Sequence, residues 1–189
     1  MKSRLRVLVA VLALIVCAGL GAYLVMTHRP PVTPPSKPVP EAKSPVETQK
    51  KVKVYQVTVE GNQAKLRPTE KEVKVDHSPP EAAVRALIEQ VDTGELANPI
   101  PKGTRLLGFK LEKGLATVDL SREFRDNFTG GSEEEGLTIG AVLRTLGQFP
   151  EVKRVTFLIE GKPLETLGHL DLSGPQDVRW AGSQFGGEN

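Results

Sequence analysis

Residues 7–26 form an unbroken run of 20 residues without Asp, Glu, Lys or Arg. At the helical rise such a run spans roughly 30 Å, the thickness of a bilayer's hydrocarbon core. Lys2, Arg4 and Arg6 precede it. Positive charge resists translocation, so residues 1–6 are expected in the cytoplasm and everything from Thr27 onward outside it, on a single-pass anchor. Two other readings use the same residues. A cleaved signal peptide would place its cleavage zone at Ala18, Gly19, Gly21 and Ala22, but Tyr23, Leu24, Val25 and Met26 then continue apolar where a mature N-terminus is usually polar. A lipoprotein would be acylated at Cys17, yet Val16 stands where a small residue is wanted. Cys17 is also the only cysteine, so the downstream domain has no internal disulfide and no thiolate metal site or nucleophile.

Composition divides the rest. Residues 27–53 hold Pro30, Pro31, Pro34, Pro35, Pro38, Pro40 and Pro45 together with Lys37, Lys43, Lys50, Lys51 and Lys53. Such a segment cannot bury enough apolar surface to fold, and proline stiffens it toward extended polyproline II geometry, so it reads as a spacer. A proline-motif ligand for a partner domain is the functional alternative. Residues 54–178 suffice for one domain with one core, and residues 179–189, rich in glycine, read as a flexible tail. The net charge of +2 averages unlike parts: residues 1–6 carry +3, the spacer +4, and residues 54–189 carry 16 Lys or Arg against 21 Asp or Glu. The mildly acidic domain lacks a basic footprint for phosphates, which argues against nucleic acid as a partner.

Within the domain, residues 53–60 alternate, with Tyr55, Val57 and Val59 on one side, and Gly61-Asn62 ends the strand in a turn. A second extended piece at 64–75 contains Pro68, which places it at a sheet edge or splits it. Ser78, Pro79, Pro80 and Glu81 form a helix start with a capping box, and Val84, Leu87, Ile88 and Val91 follow as one apolar stripe closed by Gly94. Residues 105–111 and 115–120 flank Lys113-Gly114 as a hairpin, with Ala116, Val118 and Leu120 inward. After Phe124, Phe128, Gly130 and Gly131, a second capping box from Ser132 to Glu135 opens a helix whose stripe is Ile139, Val142, Leu143 and Leu146, stopping near Phe149-Pro150. Residues 153–160 make a core strand with Val155, Phe157 and Ile159 on one face, turning at Gly161 into Leu164. The expected fold is α+β, a two-layer sandwich of two amphipathic helices on one face of a small mixed or antiparallel sheet.

Three stretches resemble the GerMN domain family of sporulation and spore germination proteins: residues 78–89, Gly114-Leu-Ala-Thr-Val-Asp-Leu-Ser121 with Phe124, and residues 145–161 through Leu167-Gly-His169. The resemblance implies an envelope-associated domain with no known catalytic residues and a fold similar to the ring-building modules of secretion and sporulation assemblies. It further implies self-association or partners among other envelope and sporulation proteins.

Residue chemistry points the same way. His169, Asp171 and Ser173 have the types of a hydrolase triad, but in an extended chain alternate residues run parallel about 6.6 Å apart instead of converging. Gly130-Gly131 before a helix resembles a phosphate cradle, but Glu133, Glu134 and Glu135 occupy that turn and would repel an anion. His28, His77 and His169 lack the spacing of a zinc ligand set. Asp119 and Ser121 fit a strand-end turn better than a catalytic pair. Of the aromatics, Phe124 and Phe128 read as core plugs under a loop, and Trp180 as an exposed contact. Gly136 and Gly140 fit close packing of the second helix. No catalytic, cofactor-binding or metal residue is therefore expected, and the chain is expected to act as a non-enzymatic, membrane-anchored assembly or scaffold module. The competing class is a binding module for cell-wall glycan or peptide, which needs a groove lined by exposed aromatics.

Overall fold

A computed structural model describes residues 49–180. The expected anchor at 7–26, the cytoplasmic residues 1–6, the spacer up to residue 48 and the tail from residue 181 lie outside the described residues.

Strand β1, Gln49–Glu60, pairs antiparallel with β2, Gln63–Lys74, in a two-stranded ribbon. The strand begins four residues before the expected Lys53, so part of the sequence assigned to the spacer is ordered strand. Gly61 takes φ 63° at the first central position of the two-residue turn, as a type II′ hairpin needs. Pro68 does not split β2. It stands opposite Tyr55, and Tyr55 is in phase with Val57, whose N–H and C=O point away from β2 toward Ala97. The missing N–H of Pro68 therefore falls on the outer edge, and no ladder bond is lost.

The phase of β1 departs from expectation. Tyr55, Val57 and Val59 do share a side, but Val59 is 68% exposed, and the buried face carries Val52, Val54, Gln56 and Thr58. Two of those four are polar. Gln56 is accommodated because its Oε1 accepts from the Thr69 hydroxyl at 3.2 Å and its Nε2 donates to the Val91 carbonyl at 3.5 Å.

Helix α1, Pro79–Ile88, starts as the sequence indicates: Ser78 Oγ accepts from the Glu81 N–H at 3.3 Å. The reciprocal half of the box is replaced by an ion pair, because Glu81 turns along the helix to Arg85 at 2.8 Å. The helix also ends earlier than the stripe suggested. Its buried residues are Pro80, Ala82, Ala83, Val84 and Leu87, whereas Val91, beyond the end, is 74% exposed.

The second sheet has strand order β3-β4-β5-β6, with β7 also on β5. Strands β3, Leu106–Glu112, and β4, Leu115–Leu120, form a hairpin whose turn residues Lys113 and Gly114 both take positive φ, 49° and 83°, the type I′ pattern. A bulge interrupts the pairing between Leu106 and Gly108. The crossover from β4 contains α2, Glu123–Asp126, and α3, Ser132–Gly147, and returns the chain to β5, Arg154–Ile159, parallel to β4. Two-residue strands β6, Lys162–Pro163, and β7, Gln176–Asp177, pair antiparallel with the ends of β5. The α+β fold is thus present with its strands divided between a ribbon and a mixed sheet.

Ala116, Val118 and Leu120 on β4, and Val155, Phe157 and Ile159 on β5, all face one core. On α3 the stripe Ile139, Val142, Leu143 and Leu146 is buried as expected, but so are Leu137, Thr138, Ala141, Thr145 and both Gly136 and Gly140. A helix resting on a single sheet face would bury one stripe. α3 buries more because the β1–β2 ribbon also packs on it and on α1.

Candidate interaction surfaces

Strand edges end in unpaired N–H and C=O groups, and their fate decides whether a small β-containing domain can add a further strand. The outer edge of β1 is occupied at two points. Val57 exchanges both main-chain bonds with Ala97, at 2.9 and 2.8 Å. At Lys53 the side-chain amide of Gln148 imitates a neighbouring strand: its Oε1 accepts from the Lys53 N–H at 2.8 Å and its Nε2 donates to the Lys53 carbonyl at 2.7 Å. The β2 edge carries Pro68 and the exposed charged residues Arg67, Glu70, Lys71, Glu72 and Lys74, which oppose strand addition. The β5 edge is covered by β6, by β7, and by Leu164, whose N–H donates to the Phe157 carbonyl at 3.0 Å.

The β3 edge differs. The two-residue turn makes Glu112 and Leu115 the closing hydrogen-bonded pair, so Lys110 bonds Thr117 and the N–H and C=O groups of Phe109 and Leu111 point outward. Among the described residues these outward groups have no main-chain partner. Phe109 and Leu111 are half-buried against the core, Leu107 in the bulge is 49% exposed, and Lys110 pairs with Glu112 at 3.0 Å on the outer face.

A cleft of about 520 Å³ lies between the ribbon, the segment before β3 and the start of α3. Val57, Ala64, Ile100, Phe128 and Leu137 line it, with Lys102, Glu133 and Glu134 supplying charge. Phe128, expected as a core plug, is a half-buried wall of this cleft, whereas Phe124 is fully buried. Trp180, expected as an exposed contact, is half-buried and packs against the core.

The start of α3 is built differently from the expected box. Gly131 is the N-cap, and Glu134 Oε2 accepts its N–H at 3.0 Å, one residue earlier than Ser132 and Glu135 would have done. A Cβ at Gly130 would lie 2.4 Å from the Glu134 Cβ, so this glycine serves a close approach of the chain to its own helix. Released from capping, Glu135 is completely buried. Its Oε1 accepts from the N–H groups of Leu167 at 3.1 Å and Gly168 at 2.9 Å, its Oε2 from His169 at 2.7 Å, and both oxygens from Leu170 at 3.2 Å. Four converging amides make a nest that satisfies the buried charge and ties residues 167–170 to α3. The latch was readable in one respect: Glu135 sits four and seven residues before Ile139 and Val142, on the buried stripe.

The remaining polar suspects are separated by the same geometry. His169 directs Nδ1 toward Glu135 Oε2 at 3.7 Å, with its ring 67% exposed. Asp171 Oδ1 accepts both the Ser173 hydroxyl, at 2.6 Å, and the Ser173 N–H, at 3.0 Å. Those bonds, the hydroxyl's first, hold the Asp171 carboxyl below its usual range. Asp119 accepts the Gly161 N–H at 3.0 Å, fastening the turn after β5. Ser121 Oγ accepts the Arg105 N–H at 3.0 Å, and the nearby Ser121 hydroxyl is the main cause of a lowered Glu123 pKa, ahead of the helix-start amide and of Arg105 and Arg122. Among the described residues no cluster of three or more His, Cys, Asp or Glu side chains is arranged to hold a metal ion.

Similar folds are found in solved structures. The first GerMN domain of the sporulation protein GerM from Bacillus subtilis aligns with a TM-score of 0.56 at 20% identity, over 68% of this chain and 97% of that one. The tandem GerMN domains of the same protein align with a TM-score of 0.56 at 18% identity, over 71% of this chain but 47% of that one, so this chain spans about half of the tandem. A Clostridium perfringens chain named a lipoprotein aligns with a TM-score of 0.50 at 24% identity, over 70% of this chain and 89% of that one. At these identities the likeness is one of fold. No curated protein matches the chain. The sequence pattern of the Germane family, described as sporulation and spore germination, matches residues 47–165. That match takes in both sheets' main strands and all three helices, and with it the chain belongs to the Germane family of sporulation and spore germination.

Proposed function

We propose that this chain is a non-enzymatic assembly module of a sporulation or spore-germination envelope complex, held on the membrane by residues 7–26 with its folded domain outside the cytoplasm. Family membership supports the process. The observation that carries the assembly role is the uncovered β3 edge beside three edges that are occupied, proline-interrupted or charged. Among the described residues no helix is long and apolar enough to cross a membrane. The reading of residues 7–26 as the anchor is supported by their length, their lack of charge and the Lys2, Arg4 and Arg6 flank. The net positive charge of residues 27–53 suits an anionic lipid surface beside that anchor.

The test is made in the source organism with an epitope fused after Asn189. Protease added outside intact protoplasts is expected to remove the epitope, and mild detergent extraction to release the chain in a complex larger than a monomer. A protected epitope, or a monomer at every stage of sporulation, would overturn the reading. The second reading, a cell-wall glycan or peptide binding module, draws on the cleft walled by Phe128. It calls for sedimentation with purified wall that falls on Phe128→Ala, an outcome the assembly reading does not produce.

A further inference from the structure

We infer that the β3 edge pairs with the β3 edge of a second copy of this chain, antiparallel, about a two-fold axis passing beside Lys110. This rests on the membrane-anchored assembly reading and specifies its contact.

The occupant follows from the strands themselves. Strand addition needs an extended segment with free main-chain groups on the facing side. Among the described residues β3 is the strand whose edge offers these without proline, covering side chains or a short neighbouring strand, so a second β3 is a matched donor. The bulge at Leu107 and the turn at Lys113 limit regular pairing to residues 108–112. Only Phe109 and Leu111 present outward groups there, and this fixes the register. With the axis at Lys110, Phe109 faces the partner copy's Leu111 and Leu111 faces its Phe109, giving two hydrogen-bonded pairs and four main-chain bonds. With the axis moved to Leu111, Phe109 would face Lys113 in the turn, where φ of 49° takes the chain out of strand geometry.

Side chains agree with that register. On the inner face each Phe109 would cover a Leu111, two apolar residues that the single chain leaves half-exposed. On the outer face Lys110 would lie opposite the partner's Lys110, but each ammonium already holds Glu112 at 3.0 Å, and the partner's Glu112 arrives on the other diagonal. The four charges sum to zero.

A five-residue strand pair buries less than the roughly 1,000 Å² expected of an interface stable in dilute solution. Tethering both copies in one membrane raises their effective concentration toward the millimolar range. The contact is therefore one that anchoring makes effective.

The experiment uses the full chain in phospholipid vesicles, with Cys17→Ser and single cysteines introduced at Lys110, Glu112 or Val91. Non-hydrogen-bonded antiparallel partners have Cα atoms about 4.5 Å apart, within disulfide range. Under mild oxidation Lys110→Cys is expected to cross-link at least ten times faster than Val91→Cys, an exposed position away from β3, with Glu112→Cys well below Lys110→Cys. Adding Leu111→Pro, which removes an outward N–H but no bond to β4, should return Lys110→Cys to the Val91→Cys rate, with the melting curve checking the fold. Equal rates at Lys110 and Val91, or a maximum at Glu112, would overturn the proposed pairing. If the chain still migrates in a larger envelope complex in that case, the assembly role stands without the β3 contact.

Discussion

The β1–β2 ribbon and the β3–β4–β5 sheet are both built from alternating strands, yet they fill their inner faces by different rules. In the sheet every inward position of β4 and β5 is apolar. On β1 two of the four are Gln56 and Thr58, while Tyr55, Val57 and Val59 take the outer side. A strand inside the sheet turns one face to the core and the other to solvent, so hydrophobic patterning sets its register. A two-stranded ribbon lying on helices can turn either face inward, and neighbours outside the strand decide: Gln148 on Lys53, Ala97 on Val57, and Thr69 and Val91 on Gln56.

The largest test of this contrast is a charge placed on each face of β1. Val54→Asp puts an unpaired carboxylate at a position with no solvent exposure and should cost at least about 3 kcal/mol or abolish folding, whereas Val59→Asp should stay within about 0.5 kcal/mol. Urea denaturation of both variants decides the phase, and equal costs would reverse it. In the sheet, Phe157→Ala should cost about 3–5 kcal/mol, because it opens a cavity between β5 and the helices. Glu135→Gln should come next, at about 2–3 kcal/mol, since the amide nitrogen cannot accept and turns a donor on donors of the nest. Its distinguishing readout is hydrogen exchange, which should accelerate at Leu167, Gly168, His169 and Leu170 before it does so on β4.

Smaller effects lie at the edges. Gln148→Ala frees the Lys53 main chain and should cost about 1 kcal/mol, with faster exchange of the Lys53 amide. The least is the acid response. Glu123, Asp171 and Asp177 have pKa values lowered in the fold, through Ser121, Ser173 and Arg179 respectively as the first cause. A lowered carboxyl stabilises the fold above its unfolded pKa and loses that contribution as pH falls through the folded value. Stability should hold through neutral pH and decline below about pH 4, and Ser173→Ala should make the decline slightly shallower.

The helix start at Ser78, both two-residue hairpin turns before Leu115 and Gln63, and the buried faces of β4 and β5 were legible because each depends on residues adjacent in sequence. The apolar period runs on to Val91 although the helix ends at Ile88, since a periodic apolar residue looks the same one turn inside a helix as just beyond it. The sequence places the capping carboxylate at Glu135, one residue beyond its true position at Glu134: three successive glutamates offer equivalent carboxylates, and only the arrival of residues 167–170 shows which one is buried. Nor does an edge announce itself, because whether β1, β3 or β5 is covered depends on residues up to 95 positions away, as Gln148 is from Lys53.

The sequence by itself determined the family, the α+β class, the two longer helices and the hairpin turns, but not the short helix at Phe124, which reads as a loop. These rest on local periodicity, capping and turn chemistry, or on residue patterns that can be compared directly. Tertiary structure alone decided which face of β1 is buried, that Glu135 is the centre of a backbone nest, and that β3 keeps its edge open. Each of those depends on which distant groups arrive to satisfy a hydrogen bond, and the chain's local pattern carries no record of their arrival.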